Sequence, residues 1–447
     1  MKIIIGGAGA VGKHLAQLFS REHHDITILD ENPAKYENLI ANYDLMGRAV
    51  SPTSIEGLKS VGVKDADLVI GVTPDETANL TCCMLASKMG AKNTVARVST
   101  LEYIQPANRE FFKEVGIGTL FIPEMIAAQE IASSVQRSWI RQLWEVENGA
   151  LVLMGIKVRQ NCKILNVPLK ELGGPDVPYH IVAIKRKDET LIPHGDDSIQ
   201  AYDLVYFMTT RKYIPYIREL AGKENYPDVK NVIIMGGGRT AVYATRLMPS
   251  YMHVKIIEKD RQRCNQLNEL IENNNVMVIH GDGRDVSLLS EENIENAEAF
   301  IGLTSSTEAN ILGCLTAKRM NVSKTIAMLD NLSFVNMAES LDLGTLINKQ
   351  AIAASYIYQM MLKADVTNVK SLMVANADVA EFNVKPGSKI TKKKVKDLHL
   401  PLGCTLGGLV RNNQGILISG TTVIEPGDLV VAFCLESDLN RLSSYFA

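Results

Sequence analysis

Apolar residues in this chain fall into short runs separated by stretches of helical spacing, and the whole series occurs twice. Ile3-Ile4-Ile5 makes the first run and passes into a glycine-rich segment, Gly6 through Gly12. Leu15, Leu18 and Phe19 then recur at helical spacing, which predicts a helix with one apolar face. A second run, Ile26-Thr27-Ile28-Leu29, ends on Asp30, and a third, Leu68-Val69-Ile70, leads into Val72-Thr73. Strand-sized runs alternating with helices predict a doubly wound parallel sheet.

The series restarts near residue 230. Asn231–Met235, followed by Gly236-Gly237-Gly238, answers Lys2–Gly6 and its glycine loop. Val254–Glu258 answers Asp25–Asp30, each ending on a carboxylate, and Ala297–Thr304 answers Ala66–Thr73. An acid and an asparagine follow in each copy, Glu76 and Asn79 in the first, Glu308 and Asn310 in the second. Further on, Cys162–Leu172 parallels Ser388–Leu398, and Ile199–Val205 parallels Ile424–Val430. Pro168, Gly173-Gly174-Pro175 and Pro193 punctuate this part of copy one; Pro386-Gly387, Gly407-Gly408 and Pro426-Gly427 punctuate copy two. β-Branched runs broken by such turn residues predict a small strand-rich α+β unit.

The predicted fold is therefore α/β: two tandem Rossmann-like, doubly wound parallel-sheet domains, each followed by a small α+β domain. The boundaries fall at 1–140, 141–222, 230–367 and 368–447, with a polar linker over Ala221–Lys230. Helical stretches at Met125–Ile140 and Lys349–Lys363 both carry Ile-Ala-Ala and are placed to act as crossover helices between paired domains.

The glycine loop carries the candidate chemistry. In Gly7-x-Gly9-x-x-Gly12 the first glycine permits a tight turn, the second lets a pyrophosphate approach the backbone, and the third lets helix and strand pack closely. The phosphate then sits on free N–H groups at a helix N-terminus. Asp30, ending the second strand, suits a ribose hydroxyl and would repel a 2′-phosphate, which disfavours NADP. Copy two keeps Gly236 and Gly238, places Ala241 third, and puts Glu258 where copy one has Asp30. The loop chemistry leaves NAD, NADH, ATP and ADP open as ligands.

Composition excludes several classes. Lys plus Arg is 47 against 50 for Asp plus Glu, a net charge of -3, so no electrostatic case exists for nucleic acid as a partner. The apolar runs are far below the ~20 residues of a membrane span, and no signal peptide is evident, so a cytoplasmic protein is expected. Seven cysteines without a Cys-x-x-Cys pair predict buried reduced thiols and no zinc site. No Gly-Lys-Ser/Thr phosphate loop occurs. Lys389, Lys392-Lys393-Lys394 and Lys396 read as a solvated face, and His194 with Asp196-Asp197 as a turn.

With Gly7-Ala8-Gly9-Ala10-Val11-Gly12, Asp30, Ala66-Asp67, Val72-Thr73, Ile122-Pro123-Glu124 and the duplication in place, nearly the whole chain resembles the TrkA family. Its members are cytosolic regulatory subunits of bacterial and archaeal Trk-type potassium uptake systems, built from RCK (regulator of potassium conductance) modules. The resemblance implies that Gly7, Gly9, Ala10, Val11 and Gly12 hold phosphates, that Asp30 takes the ribose, and that Thr73 and Arg97 line the remaining crevice. Its counterparts in copy two are Gly236, Gly238, Ala241, Glu258, Asp282 and Thr304. Two departures predict unequal sites: Met328 stands where copy one has Arg97, and Gly281-Asp282 where it has Gly47-Arg48. The resemblance further implies NAD or NADH and ATP/ADP as ligands, a homodimer or homotetramer ring, and docking on a TrkH/TrkG-like membrane potassium transporter subunit at the inner face of the cell membrane. A non-enzymatic role is expected. The rival readings are an NAD-dependent oxidoreductase, which would need a substrate domain where the second copy stands, and a nucleotide-sensing regulator of another membrane transporter.

Overall fold

The computed structural model describes residues 1–20, 24–174, 177–361, 366–435 and 438–446. The first parallel sheet contains β1 (Lys2–Gly6), β2 (Asp25–Leu29), β3 (Met46–Arg48), β4 (Leu68–Gly71), β5 (Thr94–Arg97) and β6 (Thr119–Phe121). Their order is β3-β2-β1-β4-β5-β6. Such an order reverses direction between β1 and β4, and the carboxyl ends there form a crevice open to a ligand. Ile3, Ile4, Ile5, Val69 and Ile70 are fully buried, which is why these central strands read as unbroken apolar runs. Asp67 accepts from the Lys2 amide at 2.8 Å and so fixes the start of β1. Helix Ala10–Ser20 covers this sheet with Val11, Leu15 and Phe19, four residues apart. Leu18, predicted on that face, is only half-buried.

A five-stranded antiparallel sheet follows: β7 (Gln142–Val146), β8 (Leu151–Lys157), β9 (Tyr179–Arg186), β10 (Glu189–Leu191) and β11 (Leu204–Thr209), ordered β10-β9-β11-β8-β7. The second parallel sheet holds β12 (Asn231–Met235), β13 (His253–Glu258), β14 (Val276–His280), β15 (Ala299–Gly302), β16 (Lys324–Met328) and β17 (Thr345–Ile347). It repeats the first order as β14-β13-β12-β15-β16-β17. Glu298 accepts from the Asn231 amide at 2.6 Å, as Asp67 does for Lys2. A last antiparallel sheet comprises β18 (Val366–Leu372), β19 (Ala377–Asn383), β20 (Cys404–Arg411), β21 (Gln414–Leu417) and β22 (Leu429–Leu435). Each parallel sheet is thus followed by a small antiparallel one, the architecture expected from the sequence.

By its contacts the chain divides into two units. Met1–Ile126 groups with Gln350–Ile357, and Ala127–Lys349 groups with Tyr358–Ala447. In the first unit the Tyr356 ring, from the exit helix of copy two, lies 6.1 Å from that of Phe121 in copy one. In the second unit Glu130, from the exit helix of copy one, pairs with Lys370 of copy two at 2.6 Å. Each exit helix therefore packs residues of its own copy against the other, as crossover helices do. The first is shorter than the expected Met125–Ile140. It runs Pro123–Val135 and gives way where Arg137 bridges Asp228 and Ser138 Oγ donates to Pro227 O at 2.6 Å. Trp139 and Ile140 are drawn into the core of the first small domain instead. The second runs Lys349–Met361, and the last two residues of its expected span, 362 and 363, lie outside the described residues, as does Pro175.

The small domains contain one more departure. Gly407-Gly408 is not a turn but the middle of β20, at a shift of register against β22. A Cβ on Gly407 would stand 2.9 Å from Met208 Cε, and one on Gly408 2.9 Å from Leu151 Cδ1. The glycines let the two small sheets approach face to face, with Tyr206 and Phe433 rings 5.6 Å apart. Both small domains also repeat a bidentate ion pair that sequence reading passed over. Arg186 grips Asp203 at 3.0 and 2.7 Å, and Arg411 grips Asp428 at 2.7 Å twice. The two acids occupy matching positions of the repeat, and the arginines sit at matching offsets before them. Finally, the expected polar linker starts inside the fold: Ala221 and Lys223 are buried.

All seven cysteines are buried. Among the described residues no helix is long and apolar enough to cross a membrane.

Candidate functional site at the strand ends

The two glycine loops lie at the carboxyl ends of β1 and β12, where the strand order reverses. Gly7 has φ +113° and its N–H reaches Leu29 O at 2.7 Å; Gly236 has φ +101° and reaches Ile257 O at 2.9 Å. These backbone angles belong to glycine, and a Cβ on either would meet the amide of Thr73 or Thr304 at 2.9 Å. A Cβ on Gly12 would stand 1.9 Å from Gly7 O, so this glycine seats the helix on its strand. Gly9 and Gly238 differ from these. A Cβ there meets nothing within 4 Å. Neither is needed for packing within the chain. Ala10 and Val11 open helix Ala10–Ser20, and Ala241 lies in helix Arg239–Leu247, whose first turn has no side-chain cap. Its N–H groups face the loop region unsatisfied by any capping side chain, as an anion requires.

The acidic residue ending each second strand closes the loop. Asp30 Oδ2 accepts from the Ala8 amide at 3.0 Å and Oδ1 from the Asn32 amide at 3.0 Å. Glu258 does the same, accepting from Gly237 at 2.7 Å and from Asp260 at 2.9 Å. Lys35 Nζ adds contacts to both Asp30 oxygens, at 3.0 and 3.1 Å. Burial by itself raises the Asp30 carboxyl, but the Asn32 and Ala8 amides and Lys35 outweigh it and hold the group below the usual carboxylate range. It is therefore a fixed anion. Lys35 was not foreseen from sequence. Its side chain is half exposed while the Asp30 carboxylate is buried.

Thr73 and Thr304 sit across the crevice on the loops after β4 and β15. Each is held by a buried asparagine six residues on. Asn79 Oδ1 accepts from Thr73 N at 2.7 Å and Oγ1 at 2.8 Å, while Asn79 Nδ2 donates to Thr73 O at 3.0 Å and Arg97 O at 2.9 Å. Asn310 repeats all four bonds with Thr304 and Met328, at 2.7 to 3.0 Å. The register this fixes corrects the expected pairing of Glu76 with Glu308. Glu76 corresponds to Thr307. Glu76 accepts from the Ser99 amide at 2.8 Å, and Thr307 Oγ1 accepts from the equivalent Asp330 amide at 3.1 Å.

The copies diverge at two positions. Arg97 ends β5 with its guanidinium 3.3 Å from Glu124, which follows Pro123 in the first turn of the exit helix. Met328 is buried and brings no charge. Asp282, after β14, is bound by the Arg284 fork at 3.0 and 2.7 Å, and that hydrogen-bonded arginine pushes its carboxyl down to about 2. The structure thus gathers Gly7, Gly9, Asp30 and Thr73 in one copy and Gly236, Gly238, Glu258 and Thr304 in the other. It gives Arg97 and Asp282 partners of their own.

Fold and site together define a duplicated Rossmann-like protein whose two strand-end crevices carry matching acid-and-glycine loops. TrkA-N domain models match residues 3–123 and 232–349, and TrkA-C domain models match 153–222 and 379–447. The chain is 30% identical to the Trk system potassium uptake protein TrkA of Halomonas elongata, over 99% of this chain and 98% of the relative. It is 32% identical to the protein of that name from Vibrio alginolyticus, over 98% and 96%. The solved GsuK channel bound to NAD shares the fold, with TM-score 0.60 at 14% identity over 100% of this chain and 78% of that one. This chain belongs to the TrkA family of Trk potassium uptake proteins.

Proposed function

We propose that this chain is the cytosolic regulatory subunit of a potassium uptake transporter, binding NAD(H) or ATP/ADP and gating a membrane subunit through a change in ring shape. The observation that carries the reading is the doubled strand-end site, in which Gly9 and Gly238 are open where packing asks for nothing and Asp30 and Glu258 are fixed beside them. The functional domains are 1–140, 141–222, 230–367 and 368–447. Gly7, Gly9, Ala10, Val11 and Gly12 take the phosphates on backbone N–H groups, and Asp30 takes a ribose hydroxyl in exchange for Lys35. Thr73 and Arg97 line the far side. Gly236, Gly238, Ala241, Glu258, Asp282 and Thr304 do the same in copy two, with a different charge pattern and hence a different ligand preference. The NAD bound by the GsuK channel makes NAD the first ligand to test.

The protein acts by binding, without turnover, as a homodimer or homotetramer ring on a TrkH/TrkG-like subunit at the inner membrane face. A nucleotide shifts the ring only as far as its affinities for two ring shapes differ. The test is potassium flux through a reconstituted Trk-type membrane subunit. Copurification with that subunit and a nucleotide-dependent flux change supports the reading. Absence of both, with a folded chain and a competent transporter, overturns it.

A further inference from the structure

Within the second unit, at the amino end of β16 and so remote from the strand-end crevice, six cationic side chains line one cavity of about 70 Å³: Arg141, Lys157, Arg159, Lys223, Lys318 and Lys324. They come from the first small domain, the start of the expected linker and the second parallel-sheet domain. Two carboxylates answer them. Asp342, held at φ +57°, accepts from Arg141 at 2.5 Å, from Lys318 at 2.8 Å and from Arg159. Glu339 takes Lys157 at 2.8 Å. Burial first, then Arg141, hold the Lys324 amine well below the usual lysine range, and Glu130, which pulls the other way, is already bound to Lys370.

The positive charge is therefore in excess. Lys324 is buried and donates to neutral oxygens alone among its described partners, Ile140 O and Thr345 Oγ1. Lys223 is buried against the Tyr226 ring, 4.7 Å from its centre, and has no carboxylate within ion-pair reach among the described residues. Buried cations without counter-charge are costly, and each arginine keeps N–H donors beyond the one spent on Asp342.

We infer that this cavity is an anion site for a phosphoryl group, held by the Arg141 and Arg159 forks with Lys223 and Lys324 and bridging the first small domain to the second parallel-sheet domain. Guanidinium forks match phosphate geometry, and a dianion supplies the charge that Asp342 and Glu339 leave unmet. The group comes either as orthophosphate or on a nucleotide.

The test is calorimetric titration of the full chain with orthophosphate at pH 8, against chloride at equal ionic strength. One saturable site per chain is expected, weakened about tenfold or more in Lys223→Gln, the loss of one charge-assisted bond. Binding should also take up protons. Burial first, then Arg159 and Arg141, push the Lys223 amine down to about 8 against the pull of Asp342 and Cys162, and a bound dianion reverses this. Comparing buffers of different ionisation enthalpy reads that uptake. Arg159→Gln is the second variant, since Arg141 and Lys318 still hold Asp342. ATP competing with phosphate in a Gly9→Val, Gly238→Val chain assigns the phosphoryl to a nucleotide; no competition assigns it to free phosphate. Phosphate indistinguishable from chloride, or bound equally by wild type and both variants, overturns the site.

Discussion

The Ala8 amide donates to the Asp30 carboxylate at 3.0 Å, tying the glycine loop after β1 to the end of β2. Gly237 and Glu258 form the same tie in the second copy. The acid therefore shapes the glycine loop in both copies. Asp30→Ala removes the acceptor for two amides and a lysine, and a loss of about 2 kcal/mol in stability is expected alongside weaker nucleotide binding. Chemical denaturation measures the first. Asp30→Asn, which keeps one acceptor oxygen, should recover part of the stability.

The glycines of the loop should separate cleanly. Gly12→Ala puts a Cβ 1.9 Å from Gly7 O and should cost about 1 to 3 kcal/mol. Gly9→Ala enters open space and should change stability by less than about 0.5 kcal/mol. Thermal unfolding of the two variants side by side checks this. Equal destabilisation would mean that Gly9 is a packing residue.

Asn79 and Asn310 each close four hydrogen bonds between a crevice loop and the next strand. Replacing either by Ala leaves buried backbone groups unpaired, with an expected cost of about 3 kcal/mol. Hydrogen exchange at the Thr73 or Thr304 amide should rise in the matching variant alone.

Asp342 gives the chain an acid-sensitive joint. Burial by itself raises its carboxyl, but Arg141, then Lys318 and Arg159, outweigh it and bring the group down to about 2. The unfolded value is about 3.9. A carboxyl depressed on folding contributes stability that is complete above the unfolded value and lost as pH falls through the folded one. On the order of 2 to 3 kcal/mol should disappear between roughly pH 5 and pH 1. Asp342→Asn should flatten this part of the stability profile measured by urea titration, and an unchanged profile would place the acid sensitivity elsewhere.

Much of this architecture was legible because local chemistry fixes it. Gly7 and Gly236 require positive φ, the buried strands of a parallel sheet need unbroken apolar runs, and an acid at the end of β2 and β13 follows from spacing. Most of what was missed depends on partners far along the chain. The helix after Pro123 ends at Val135 because Asp228 and Pro227 claim Arg137 and Ser138. Gly407-Gly408 has turn composition, yet Met208 and Leu151 demand its missing side chains inside a strand. Lys35 on Asp30, five residues away, and Glu124 on Arg97 are choices among many charged residues that no periodicity marks. Duplication was the strongest signal, and it still misaligned Glu76 until the asparagine bonds fixed the register.

The most direct test of the central claim is calorimetric titration of the full chain with NADH, NAD, ATP and ADP, repeated on Gly9→Val and Gly238→Val. Binding without turnover is expected, lost copy by copy in variants whose unfolding midpoints stay near the wild-type value. Absence of binding by the wild type to all four, or binding untouched by both substitutions, would contradict it and leave the glycine loops as structural turns.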